Sequence, residues 1–282
     1  MTSDAFEAPS GKHAGSENFP VASWLLRAEL RPHAVAFYDF ARAIDDVADA
    51  PALGAEVKRE RLAAFDATLA GTADGGPVKA AALRRSLLAT GVSDRHGRDL
   101  IRAFVLDTEK QRYADWDDLM AYCMLSAAPV GRYLLDLHGE DRALHPASDA
   151  LCSALQVINH LQDCADDYRA LDRVYLPAPW LAAEGLQVDV LAGHTSPLGL
   201  RRVLDRCLDG TDDLLERSRP MLRGLASPRL ACETAAIQAL AERLVRELRR
   251  RDPLAERVAL GKGAMLRVGL SGVSRALVAR AR

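Results

Sequence analysis

Tyr38, Arg42, Asp45 and Asp49 stand at offsets 0, 4, 7 and 11, and Gln156, Asn159, Asp163 and Asp167 at offsets 0, 3, 7 and 11. On a helix with 3.6 residues per turn, each quartet falls within a sector of roughly 60–80°. Each is thus a polar stripe ending in two carboxylates one turn apart. Apolar residues flank both stripes: Val35, Phe37, Phe40 and Ile44 in the first, Leu155, Val157, Ile158 and Leu161 in the second. A surface helix would scatter its acids, and a buried one would avoid them, because a charge taken out of water is costly unless paired or metal-bound. Magnesium prefers hard oxygen ligands and keeps some of its waters while bridging carboxylates to phosphate oxygens. Two facing DxxxD pairs therefore point to Mg²⁺ and a phosphorylated ligand. For either stretch alone a solvated acidic face competes with this reading; the duplication argues against it. Asp46 and Asp166 lie about 80° off their stripes, which predicts supporting or solvent-facing positions.

Arg42 can grip two oxygens of a diphosphate through its guanidinium fork, or pair with Asp45 or Asp46 on its own helix. Gln156 and Asn159 can orient the ligand carboxylates or a water, or simply be satisfied core amides. Lys110, Arg112, Lys262 and Arg267 are further candidate phosphate partners, with ordinary surface charges as the alternative. The run Tyr122 to Arg132, YCMLSAAPVGR, sets small residues before Pro129. A proline inside a helix kinks it and frees carbonyls, and in a bundle wall such a kink opens room. No HExxH, GxSxG, P-loop or dinucleotide-binding glycine pattern is present.

Apolar residues recur at three- and four-residue spacing almost throughout, with little strand-like alternation. This predicts an all-α chain, with helices near 21–31, 32–49, 55–70, 77–89, 95–109, 115–138, 146–170, 197–223, 226–250 and 259–280. No Gly/Ser/Pro-rich linker divides it. Residues 1–17 read as a mobile leader and 18–282 as a single-domain helical bundle with a central cavity, the two acidic helices forming opposite walls. The chain has 282 residues, about half of them apolar (49%), enough for a sizeable core.

A net charge of −2 gives no reason to expect nucleic acid as a partner. Five cysteines without a CxxC pair suggest reduced thiols and a cytoplasmic setting. The N-terminus lacks a signal peptide's apolar core, and no run of about 18 apolar residues predicts a membrane span. Peripheral contact with the inner membrane face, and association with neighbouring enzymes of a pathway, stay open.

YDFARAIDDVAD and QVINHLQDCADDYRALDRVYLP resemble the two signatures of the squalene/phytoene synthase family. The likeness runs from about Asn18 to the last helix. It implies an isoprenoid-synthase bundle in which Asp45, Asp49, Asp163 and Asp167 hold Mg²⁺ against a prenyl diphosphate. It implies catalytic roles for Tyr38, Arg42, Gln156 and Asn159, and substrate contacts from Asn18, Phe19, Tyr122, Ala127 and Lys262.

Two shorter stretches, Glu17–Ser23 (ENFPVAS) and Ser126–Arg132 (SAAPVGR), resemble the hydroxysqualene synthases of the hopanoid branch. Relatives that join two prenyl diphosphates tend to carry basic residues where this chain has Glu17 and Gln162. The resemblance thus implies conversion of presqualene diphosphate to hydroxysqualene. Condensation of two prenyl diphosphates to presqualene diphosphate, squalene or phytoene is the alternative. A catalytically silent prenyl-lipid-binding subunit is a third reading, disfavoured by the intact aspartates.

Overall fold

A computed structural model of the protein describes residues 26–73 and 75–280. Among these residues the chain is helical, with no strand beyond one isolated bridge between Arg112 and Val174. Residues 26–30 form a turn, so the helix expected from 21 does not cover them. The first helix, α1 (Arg31–Asp49), opens with Pro32 in its first turn, where the missing N–H forfeits no bond. It buries Phe37, Phe40, Ile44 and Val47, whereas Val35 is 43% exposed and does not join them. At about 1.5–3 kcal/mol per fully buried large apolar side chain, that face anchors the helix.

Helices α2 (Ala55–Ala70), α3 (Val78–Thr90) and α4 (Arg95–Asp107) pack against α1. Gly71 and Gly91 end α2 and α3 at φ 74° and 71°, a backbone that glycine adopts without strain.

The helix expected over 115–138 is two helices, α5 (Trp116–Ser126) and α6 (Ala128–His138), meeting at Ala127 with φ −125° and ψ −48°. Pro129 sits in the first turn of α6. Its ring would clash with the carbonyl four residues back, so the break precedes it. The helix expected over 146–170 is likewise divided at Asp163 (φ −106°, ψ 8°) into α7 (His145–Gln162) and α8 (Cys164–Leu171). A short α9 (Ala178–Ala183) and two 3₁₀ turns, Arg142–Leu144 and Val188–Ala192, fill stretches expected to be loop. The segment 197–223 is α10 (Leu198–Ser218) followed by α11 (Pro220–Gly224), broken before Pro220.

Helix α12 (Pro228–Arg250) packs on α7 and α10, and α13 (Lys262–Arg280) lies outside α12. Gly272 allows that approach, since a Cβ there would collide with the Ala235 carbonyl. The outer face of α13 leaves Leu266, Leu270 and Leu277 exposed. No described helix is long and apolar enough to cross a membrane. All five cysteines are free thiols, four of them buried.

Candidate active site

Both polar stripes open onto one cavity of 390 Å³. Tyr38, Arg42 and Asp45 reach it from α1, and Gln156 and Asn159 from α7. The rest of the wall is mostly apolar, including Phe37, Leu100, Phe104, Leu134 and Leu151. Cavity residues on α1 run from Ala34 to Asp45 and on α7 from Ser148 to Asn159. Either stretch rises about 16 Å at 1.5 Å per residue. In both helices the guanidinium, amide and carboxylate groups lie toward the C-terminal end, while Ser148 and Cys152 line the other end of the α7 stretch. The cavity is therefore a pocket with one strongly polar end and a mostly apolar interior, in which Ser126, Ser148, Glu233 and Thr234 are the polar exceptions.

Arg42 pairs with Asp45 at 2.8 Å and with Asp46 at 3.2 Å. The salt-bridge reading of this arginine is met, yet its side chain still lines the cavity. The pairs with Asp45 and Asp46 keep the guanidinium on the polar stripe of α1. Asp163 and Asp167 follow Asn159 by one and two turns. The Asp167 N–H donates to the Asp163 carbonyl at 2.8 Å, so the break at Asp163 preserves the one-turn spacing of the pair. Both are half-buried and lie beyond the cavity wall proper, as does Asp49. Asp166 is mostly exposed, as its offset predicts.

The last carboxylate of the first stripe meets a cation that the sequence reading passed over. Arg173, in the loop after α8, has a side chain only 7% exposed and approaches Asp49 at 3.3 Å. Its backbone N–H donates to the Asp167 carbonyl at 3.2 Å. One residue thus ties the two acidic stretches together. Arg173 also donates to the Tyr175 hydroxyl and to the Asp107 carbonyl, each at 3.4 Å. Lys58, from α2, donates to the Ala48 carbonyl at 2.6 Å beside the same aspartate. Burial lowers its pKa, against the pull of Asp49. Helical periodicity could not have flagged either residue, because each depends on which element packs where.

Tyr122 lies in this buried layer rather than in the cavity wall. Its hydroxyl donates to the Asp107 carboxylate at 2.8 Å. Burial pushes Asp107 up to about 6, against the opposing pull of Arg173 and of the Tyr122 hydroxyl. Burial also raises the Tyr122 and Tyr175 phenols. His160 stacks on Tyr175 with ring centroids 3.3 Å apart, and burial lowers it to about 3, so it stays neutral.

Ala127 lines the cavity, together with Ser126, Val130 and Gly131. A Cβ on Gly131 would collide with Ser148 and Cys152 of α7, and Arg132 clamps Asp149 at 2.7 and 2.6 Å. The SAAPVGR stretch therefore breaks the wall and seats α6 closely on α7. None of the other expected phosphate partners lines the cavity. Lys110 pairs with Asp118 at 2.5 Å, Arg112 with Asp172 at 2.6 Å, and Lys262 and Arg267 are exposed on α13. Gln162 is buried and donates to the Val258 carbonyl, away from the cavity. Glu17, Asn18 and Phe19 lie outside the described residues.

Among the described residues no three His, Cys, Asp or Glu side chains form a ready-made metal cage. The donor set instead suits Mg²⁺ in the form it takes with phosphates. It offers one or two carboxylates from each side, with the remaining positions left to water and ligand oxygens.

An all-α bundle enclosing a largely apolar cavity, onto which both aspartate-bearing stripes open, has the architecture of an isoprenoid synthase. The chain belongs to the squalene/phytoene synthase family, whose sequence profile matches residues 12–264. It is 46% identical to the hydroxysqualene synthase of Rhodopseudomonas palustris, over 92% of this chain and 88% of that protein. It is 44% identical to that of Zymomonas mobilis, over 95% and 90%. Among solved structures it resembles a squalene synthase of Alicyclobacillus acidocaldarius (31% identity, TM-score 0.72, covering 82% of this chain and 87% of that one). A dehydrosqualene synthase, at 19% identity, shares the fold with a TM-score of 0.81 over 93% of each chain. The family and the hydroxysqualene synthase branch expected from the motifs are both borne out.

Proposed function

We propose that this enzyme ionises presqualene diphosphate and captures the resulting cation with water, giving hydroxysqualene and diphosphate. The observation that carries the reading is the cavity, with Tyr38, Arg42, Asp45, Gln156 and Asn159 at one end and a mostly apolar wall along the rest, interrupted by Ser126, Ser148, Glu233 and Thr234. Among its described wall residues Arg42 is the one cationic side chain. That composition suits a substrate with one diphosphate and two long hydrocarbon arms. The support therefore comes from the wall itself rather than from Gln162, which faces elsewhere.

Mg²⁺ held by Asp45, Asp49, Asp163 and Asp167 would neutralise charge on the departing diphosphate. Arg42 adds a fixed positive group at the same end, where charge develops as the C–O bond breaks. Tyr38, Gln156 and Asn159 fix the orientation of that end through hydrogen bonds. The apolar wall shields the cation from bulk water, so that rearrangement precedes capture. Given presqualene diphosphate and Mg²⁺ without NADPH, the enzyme should yield hydroxysqualene; given farnesyl diphosphate alone, it should do little. Efficient conversion of farnesyl diphosphate to a C30 product would replace this reading with the condensation of two prenyl diphosphates.

Peripheral contact with a membrane extends the proposal. Leu266, Leu270 and Leu277 share one exposed face of α13, a helix containing Lys262, Arg267, Arg275 and Arg280 and no acidic residue. Exposed leucines flanked by cations suit an anionic lipid surface. The protein should co-sediment with phosphatidylglycerol vesicles at low salt, and Leu270→Glu should reduce the bound fraction several-fold. Equal sedimentation of the two proteins would remove α13 from that role.

A further inference from the structure

The inference rests on the proposed hydration reaction and concerns how its water is held. In a mostly apolar cavity, a water molecule stays only where the wall offers it a hydrogen bond. Four polar side chains interrupt the wall away from the two acidic stripes: Ser126, Ser148, Glu233 and Thr234. Three of them are engaged or sealed. The Ser148 hydroxyl is hydrogen-bonded to the Cys152 thiol. Glu233 already takes part in an interaction of its own. The Ser126 oxygen is unpaired but closed off from water. Thr234 differs from all three. The residue is only 7% exposed, yet its hydroxyl makes no hydrogen bond to any described residue, and its oxygen is not closed off as that of Ser126 is.

That state is unusual for a helix. A threonine or serine inside one ordinarily turns its hydroxyl back to a carbonyl three or four residues earlier. Thr68 donates to the Ala64 carbonyl at 2.8 Å, Thr90 to that of Ser86 at 2.9 Å and Thr211 to that of Cys207 at 2.8 Å. Ser218 and Ser274 do the same. Thr234 has the Leu230 carbonyl at the corresponding position and does not use it. Leu230, Glu233, Thr234 and Ile237 line the cavity at i, i+3, i+4 and i+7, so this face of α12 is a cavity wall. Valine would fill the same space without the cost of an unpaired hydroxyl in an apolar setting. A ligand that pairs with the hydroxyl removes that cost.

We infer that Thr234 is the positioning residue for the water that captures the cation. The water donates one O–H to the Thr234 oxygen, which has two lone pairs to accept it. A lone pair of the water oxygen is thereby left for the cationic carbon. That pair forms the new C–O bond. An O–H bond of the water then breaks, its electrons remaining on oxygen and its proton passing to the diphosphate anion released by ionisation. Cation, water and diphosphate become alcohol and protonated diphosphate, with charge balanced. Thr234 is neither protonated nor consumed. Where no water is held, the cation instead loses a proton from a neighbouring carbon to the same anion and leaves as a hydrocarbon.

The test compares wild type, Thr234→Val and Thr234→Ser on presqualene diphosphate with Mg²⁺, recording KM, kcat and the ratio of hydroxysqualene to hydrocarbon. A neutral hydrogen bond contributes roughly three- to tenfold, so the ratio should fall by about that factor in Thr234→Val. KM should stay within about twofold, and Thr234→Ser should keep a ratio close to that of wild type. A packing role predicts the opposite order, because valine keeps the shape of threonine and serine does not. An unchanged ratio in Thr234→Val, or a larger loss in Thr234→Ser than in Thr234→Val, would overturn the assignment. Should Thr234→Val melt well below wild type, Thr234→Ser against Thr234→Ala makes the same comparison, with the ratio expected to fall in Thr234→Ala alone. If wild type itself makes no hydroxysqualene from presqualene diphosphate, the proposed function falls first. If wild type and Thr234→Val make it in the same ratio, only the role of Thr234 falls.

Discussion

Asp45→Asn and Asp163→Asn should each lower kcat by about 10²–10³-fold, the range seen when one fixed electrostatic contact to a developing charge is removed. Asn keeps the shape and one oxygen but loses the charge that a hard divalent ion requires. The fold should be little affected. Asp45 is partly exposed, Arg42 retains Asp46 at 3.2 Å, and such half-exposed pairs contribute about 1 kcal/mol or less. Calorimetry should show that wild type binds inorganic diphosphate only with Mg²⁺ present, and that both variants lose this dependence. Asp166→Asn, at an exposed position, serves as the control and should match wild type. Full turnover in EDTA, or Mg²⁺-dependent diphosphate binding undiminished in the variants, would sink the metal assignment.

The parts of this molecule that follow a helical period could be read from the sequence; those that depend on tertiary placement could not. Periodicity located α1, α2, α3 and α12 to within about two residues and put Tyr38, Arg42, Asp45, Gln156 and Asn159 on cavity-facing stripes. It ran through the breaks at Ala127, Asp163 and Arg219, because a single non-helical residue hardly shifts the phase of the apolar pattern. Pro129 and Pro220 mark two of those breaks once their ring clashes are considered. Asp163 carries no such mark, and its residue type gives no account of the break. Gln162 shows a signal that was present but unused. It sits about 100° from the centre of the α7 stripe, so the helix geometry already turned it away from the diphosphate. Arg173 was out of reach, since a loop residue has no period and its value comes from lying between Asp49 and Asp107.

That position makes Arg173→Leu the substitution with the largest expected effect on stability. Arg173 approaches Asp49 at 3.3 Å and the Asp107 carboxylate at 3.9 Å, with both Arg173 and Asp107 nearly inaccessible to water. Removing one partner of a buried pair strands the other charge, at about 3–5 kcal/mol. The loss should depend on pH. Burial already raises Asp107 from 3.8 to about 6, and Arg173 works against that rise. A carboxyl whose folded pKa lies above its unfolded value binds more protons when native. Its contribution is fully present below about pH 4 and is lost as pH climbs through 6. Without Arg173 the folded pKa moves higher still, and the loss continues to higher pH. Urea denaturation should therefore show Arg173→Leu more destabilised relative to wild type at pH 8 than at pH 5. Asp107→Asn added to Arg173→Leu should recover part of the deficit at pH 8, because the stranded charge is gone. A deficit below about 1 kcal/mol at both pH values would mean that the buried layer does not depend on this pair. Any effect of Arg173 on turnover would then act through Asp49 and Asp167 alone.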